Sequence, residues 1–241
     1  MTMNTLKITK DRKVANSVMP SGKQARIANA FSLPAGHNYS CPGATDYCEA
    51  ICYAGKLEKI FKGFRDNVIH NWDILKDMSG VDMEDALANA IRGFVAECDK
   101  WNAPKHFRIH ADGDFFNANY TMAWIRVMQQ NPDVQFWVYT RVANSAVMIH
   151  KAMLDNCSLY FSADPVNVNI AVMLNKLYGI NVAMVANTFD EGKALIPDIK
   201  ATRCPENNKS IPLISSKGSA CEVCGLCIFG RKSVLFSKTK R

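Results

Sequence analysis

From residue 105 onward the chain alternates between short apolar runs and longer stretches of helical spacing. Lys105–His110 reads as a strand, Tyr120–Gln130 as a helix, Gln135–Thr140 as an aromatic and β-branched strand, and Ser145–Leu154 as a helix. The beat continues with a strand at Ser158–Ser162, a helix at Asn167–Tyr178 and a strand at Asn181–Ala186. Upstream, Ala30–Leu33 is a short apolar run stopped by Pro34 and Gly36, and two helical patterns follow over Leu57–Lys76 and Met83–Lys100. In the second, Leu87, Ala90, Ile91, Phe94, Val95 and Cys98 fall at helical spacing, with Asp82 and Glu84 near the start.

Strands separated by helices of about ten residues predict right-handed βαβ units and a parallel sheet. The expected class is therefore α/β. Five or six strands suit a partial or compact (β/α) barrel-like sheet better than a complete eight-fold barrel, which takes about 250 residues. A doubly wound open sheet is the competing arrangement. After Asp190 the pattern dissolves into a Pro- and Cys-rich segment. The expected organisation is a basic arm over 1–29, an α/β catalytic domain over 30–200, a Cys-rich metal-binding segment over 201–230 and a basic tail over 231–241.

The chain has 241 residues, 48% of them hydrophobic, which is enough for a buried core and excludes wholesale disorder. No apolar run approaches the roughly 20 residues of a membrane span, and Met1–Lys13 lacks the apolar stretch of a secretory signal. A cytoplasmic protein with no membrane partner is expected. The net charge of +7 is concentrated at the ends. Lys7, Lys10, Arg12, Lys13, Lys23 and Arg26 are opposed near the start only by Asp11, and Arg231, Lys232, Lys238, Lys240 and Arg241 by nothing. Basic ends of this kind can hold a phosphate backbone, so DNA is the expected macromolecular partner.

Nine cysteines are many for a reducing compartment, and seven of them cluster, which points to metal or redox chemistry. Cys204, Cys221, Cys224 and Cys227 include two C-x-x-C steps, and can make a four-sulfur site for zinc or for an iron–sulfur cube. His37, Cys41, Cys48 and Cys52 form a second candidate set directly after the first strand. Cys98 and Cys157 read as core residues.

Each predicted strand ends in chemistry: His110-Ala-Asp112-Gly-Asp114, Tyr139-Thr140-Arg141, Ser162-Ala-Asp164 and Asn187-Thr188. In parallel α/β folds the site lies at the carboxyl ends of the strands. Asp112, Asp114 and Asp164 can divide nucleophile, base and acid roles, and His110 is a further acid–base candidate. Arg141 suits an anion. Phe115, Phe116 and Tyr139 can stack a base, with Asn187 as a polar contact.

Several runs resemble a known family. Phe31-Ser-Leu-Pro-Ala-Gly-His37, Cys41-Pro-Gly-Ala-Thr, Cys52-Tyr-Ala, Arg108-Ile-His-Ala-Asp-Gly-Asp-Phe-Phe, Trp137-Val-Tyr-Thr-Arg and the Cys221–Cys227 spacing are similar to phage proteins catalogued as gene product 88, over roughly residues 30–230. The chain also resembles phage DNA-guanine transglycosylases. That likeness implies replacement of guanine in DNA by a 7-deazaguanine base such as the 7-cyano form, with an aspartate nucleophile, a structural zinc and residence in the host cytoplasm. The loop at Cys41, Cys48 and Cys52 resembles the three-cysteine loop of radical S-adenosylmethionine enzymes, with gaps of six and three residues where that family has three and two. This likeness implies a 4Fe-4S cluster and S-adenosylmethionine, with a second cluster on the later cysteines. A third expectation is a metal-stapled DNA-binding protein with no activity.

Overall fold

The computed structural model describes residues 5–19 and 21–238. The segment expected to be an irregular arm contains a small antiparallel hairpin, β1 (Asn16–Val18) with β2 (Gln24–Arg26). Strands of three residues are too short for alternation to show in the sequence. Lys13, counted among the free cations of that arm, is tied to Glu206 at 2.8 Å. Lys240 and Arg241 lie outside the described residues.

The main sheet begins with β3 (Ala30–Ser32), after which the first cysteine loop leads into α1 (Asp46–Ile51) and α2 (Tyr53–Ile60). The single helix expected over Leu57–Lys76 is broken at Phe61, whose extended backbone starts α3 (Lys62–Leu75). No Pro marks the break, so apolar spacing reads straight through it. Next, α4 (Gly80–Trp101) begins where Ser79 accepts the Asp82 N–H and ends on left-handed Asn102. Strict alternation of strand and helix then follows: β4 (His106–Asp112), α5 (Ala118–Gln130), β5 (Gln135–Thr140), α6 (Ala143–Lys151), β6 (Cys157–Ala163), α7 (Val168–Tyr178) and β7 (Asn181–Ala186).

Beyond residue 186, α8 (Phe189–Leu195) and β8 (Ala201–Arg203) extend the pattern into the region that looked irregular. A two-residue ladder pairs β9 (Ile214–Ser215) with β10 (Gly218–Ser219), and α9 (Ala220–Cys224) carries the later cysteines. The last strand, β11 (Ser233–Ser237), is the main departure from expectation. Within the segment expected to be a basic tail, Ser233–Ser237 form β11, which inserts between β7 and β8 as an interior strand. Its Val234-Leu-Phe236 run was hidden by the cations on either side.

All seven strands of the sheet are parallel, in the order β3-β4-β5-β6-β7-β11-β8. The order is sequential from β3 to β7 and turns back once, at the step from β8 to β11, so the reversal that a doubly wound sheet has at its centre lies here near one edge. The two edge strands, β3 and β8, do not pair with each other, so the sheet is open. Right-handed crossovers that always step the same way put the helices on one face. The packing agrees: Phe107, Ile109, Phe136 and Val138 bury against Leu87, Ile91, Phe94 and Trp124, while Phe161, Val182, Met184 and Leu235 bury against Ala146, Ala171 and Leu174. The intervening positions, Trp137, Tyr139, Tyr160, Ala183 and Val234, face the other way. They pack against Val14, Ile228, Cys204, Cys221 and Cys227. The cysteine-rich segment, α9 included, is thus a lid over the face opposite the crossover helices.

Candidate functional site

The carboxyl ends of β3 to β7 carry the polar residues, and the first cysteine loop is pinned across them. Two glycines allow the close fit. A Cβ at Gly43 would stand 2.7 Å from the Arg141 carbonyl oxygen, so this loop can touch the end of β5 only through glycine. Gly113, at φ +83°, would place a Cβ 2.5 Å from Ser40 Oγ and 2.7 Å from Leu33 Cβ. Three hydrogen bonds complete the clamp: Thr45 Oγ1 donates to Asp164 Oδ2 (2.5 Å), Tyr53 Oη to the Ala111 carbonyl (2.9 Å) and Ser40 Oγ to the Pro34 carbonyl (2.8 Å).

The three strand-end aspartates are brought to this one rim, in different states. Asp114 is fully employed: Oδ1 accepts from Thr140 Oγ1 (2.6 Å) and the Phe115 N–H (2.8 Å), and Oδ2 from the Arg141 N–H (2.7 Å). Burial raises its pKa, and those three donors offset part of the rise. Asp164, at 0% exposure, accepts from Thr45 and from Arg141 Nη1 (2.6 Å), and caps the Val166 and Asn167 N–H groups. Asp112 differs. Its Oδ1 accepts the Gly113 N–H at 2.9 Å, but its buried Oδ2 has no hydrogen-bond partner of good geometry. Burial first, and then the Glu58 carboxyl beside it, hold the Asp112 pKa well above the usual carboxylate range. Glu58 is itself oriented by the Ala35 N–H at 2.8 Å.

Arg141 and Asn187 stand at the same rim, where Tyr47 Oη donates to Asn187 Oδ1 at 3.4 Å. The other expected contacts go elsewhere. Phe115 is completely buried, 4.7 Å from the His110 ring, and Phe116 stacks on Tyr120 at 4.5 Å on the helix side, so both ring faces are spent on packing. His110 is a core histidine. Its Nε2 meets Tyr120 Oη at 3.0 Å, and burial, aided by Arg108, pushes its pKa down to about 3. Tyr139 lies on the lid side of the sheet under the Arg108 guanidinium, 5.4 Å from its ring centre.

Neither cysteine group contains a disulfide. Cys41, Cys48 and Cys52 border the acid rim, and burial raises all three thiol pKa values. The charges felt most strongly are those of Asp114 at Cys41, Arg141 at Cys48 and Asp112 at Cys52. His37 faces Glu49 at 3.4 Å instead of joining the thiols. In the second group Cys227 senses both Cys204 and Cys224, and burial pushes it up to about 11. Among the described residues, no three or more Cys, His, Asp or Glu side chains converge closely enough to ligate one metal ion. Among those residues, too, no helix is long and apolar enough to cross a membrane.

The family model described as Gene product 88 matches residues 3–230. The chain belongs to the gene product 88 family. Two similar relatives are both named Gene 88 protein. That of Mycobacterium phage L5 is 52% identical over 242 residues, and that of Mycobacterium phage D29 is 53% identical over 243 residues. Each comparison covers 99% of this chain and 100% of the relative. No solved structure matches the chain. In this gene product 88 chain, the rim residues Thr45, Tyr47, Tyr53 and Glu58 escaped the sequence reading of the site. Thr45 carried a usable signal, since it precedes α1 as a helix cap and accepts the Cys48 N–H at 3.0 Å. Glu58 looked like one more surface acid on a helix, and nothing local marks its inward turn.

Proposed function

We propose that the rim is the reaction centre of an enzyme acting on nucleic acid or its nucleotides, and that Cys41, Cys48 and Cys52 serve there as ligands of an iron–sulfur cluster used with S-adenosylmethionine. The observation that carries this reading is the anchoring of the three-cysteine loop to the ends of β4, β5 and β6 while Asp114 and Asp164 have their oxygens engaged. A carboxylate already accepting three or four hydrogen bonds is a poor nucleophile. The three thiols do not converge on one point in the structure, so the fit rests on their chemistry: thiols are soft ligands, and three rather than four leave one metal position for a second molecule. When bound, such a cluster supplies one-electron chemistry. The chain's own residues then position and protonate. Asp164 and Thr45 fix Arg141 for an anionic group, Asn187 and Tyr47 offer hydrogen bonds to a base edge, and the Asp112–Glu58 pair holds a proton at Asp112 Oδ2. The partial-barrel reading of the sheet and a metal held by Cys204, Cys221, Cys224 and Cys227 belong to the same proposal.

A second reading is favoured by one observation, the free lone pair on Asp112 Oδ2. Asp112 would attack the sugar C1′, expelling guanine from DNA, and a 7-deazaguanine base would then displace the carboxylate, with Glu58 carrying the proton. The deciding experiment is anaerobic purification followed by iron analysis and visible absorption. Bound iron with charge-transfer absorption, lost in Cys48→Ser, is the expected result. A colourless zinc protein, together with a modified nucleoside in phage DNA that disappears in Asp112→Ala, would replace the first reading by the second.

A further inference from the structure

The elbow between α2 and α3 is not used by the rim chemistry, yet it starts from it. α2 begins at Tyr53, directly after Cys52, and ends where Phe61 takes φ −111° and ψ 97°. The break leaves Ile60 60% and Phe61 55% exposed. Lys56 and Lys59 on α2, and Lys62 and Arg65 on α3, are all exposed around those two apolar side chains. The acids do not balance them. Glu58 turns inward to the Ala35 N–H, and Asp66 meets only Arg65, at 3.9 Å. Among the described residues Lys56, Lys59 and Lys62 make no ion pair.

We propose that this elbow is the docking surface for a single strand of nucleic acid, which it feeds to the rim. The inference rests on the nucleic-acid reading above and adds where the strand is held. Unpaired cations match a phosphate backbone, and their contacts release counterions. A bare ring among them offers a π-face on which a base stacks regardless of sequence. An eight-residue helix is about 12 Å long, so a strand gripped at Phe61 reaches the cysteine loop within a few nucleotides. Continuity with the rim favours a substrate strand over a membrane surface, which would need no such path.

The test is fluorescence anisotropy of a labelled 20-nucleotide single-stranded DNA, titrated with the full chain across a salt series. Phe61→Ala should weaken binding by about 5- to 150-fold, whereas Phe61→Trp should keep it. Lys59→Ala with Lys62→Ala should lower the salt slope by about 1.4, from roughly 0.7 per lost phosphate contact. All these positions are exposed, so melting temperatures should stay at the wild-type value, and Lys151→Ala with Lys176→Ala, two exposed cations on α6 and α7, should leave DNA binding as it was. Elbow variants that bind DNA like wild type overturn the proposal. So does a wild-type chain that ignores DNA and binds phosphatidylserine vesicles through the same residues. Iron analysis on the same samples keeps the two proposals apart: an iron-free protein whose DNA binding depends on the elbow refutes the cluster alone, and an iron-loaded one that binds no DNA refutes the elbow.

Discussion

Replacing Gly113 with alanine tests the central geometric claim, that the first cysteine loop is packed against the strand ends without slack. Two costs add at this site. A residue with a Cβ at φ +83° costs about 1–2 kcal/mol. The new methyl would also meet Ser40 Oγ at 2.5 Å, Leu33 Cβ at 2.7 Å and the Leu33 carbonyl oxygen at 2.9 Å. Overpacking of that kind costs about 1–3 kcal/mol more. Gly22 supplies the control, because its φ of +77° is nearly the same but nothing lies within 4 Å of its would-be Cβ. Gly22→Ala should therefore lose only the conformational part. At about 2–4 °C per kcal/mol for a chain of this size, Gly113→Ala should melt some 2–12 °C below Gly22→Ala in calorimetry. Because Ser40 must move, the neighbouring Cys41 thiol should also react faster with an alkylating reagent in Gly113→Ala than in Gly22→Ala. Equal melting temperatures and equal Cys41 reactivity would refute the packing argument.

Three further outcomes are expected from the same structure. Arg141→Ala strands the buried Asp164 carboxylate and should destabilise by about 3–5 kcal/mol in urea unfolding, with a substantial part restored by adding Asp164→Asn. His110 has a folded pKa of about 3 against an ordinary value of 6.5, so the unfolded chain binds the proton first on acidification. Stability from this group is complete above pH 6.5 and falls by about 1.4 kcal/mol per pH unit down to pH 3, a slope that His110→Gln should remove from the acid limb of a denaturation series. If the lid holds the metal proposed for it, Cys227→Ser should lower metal content and melting temperature, while Cys98→Ala, a core thiol away from the lid, should leave metal content unchanged.

The alternation of β4 to β7 with α5 to α7 was legible because each strand there has six or seven residues and each helix shows a full apolar stripe. Every strand-end motif in that region also lands on one rim, since parallel strands must share a carboxyl end. What local pattern could not show was long-range placement. Nothing near Val234-Leu-Phe236 says that this run displaces β8 from β7, a pairing set some fifty residues earlier in the chain. The side-chain fates diverged for the same reason. Phe115 follows the D-G-D turn just as a binding aromatic would, but the positive φ of Gly113 swings it into the helix-side core. Glu58 and Thr45 became rim residues only through contacts with Ala35 and Asp164.

The interior position of β11 has a consequence for how the molecule is made. β8 reaches the rest of the sheet only by way of Ser233–Ser237, so during synthesis the edge of β7 stays open until residue 237 has left the ribosome. Any nonsense codon or protease cut before residue 233 therefore removes two strands from the assembly, not one, and uncovers Val182 and Met184. Affinity tags fused close behind Ser237 would load the one strand that both neighbours need.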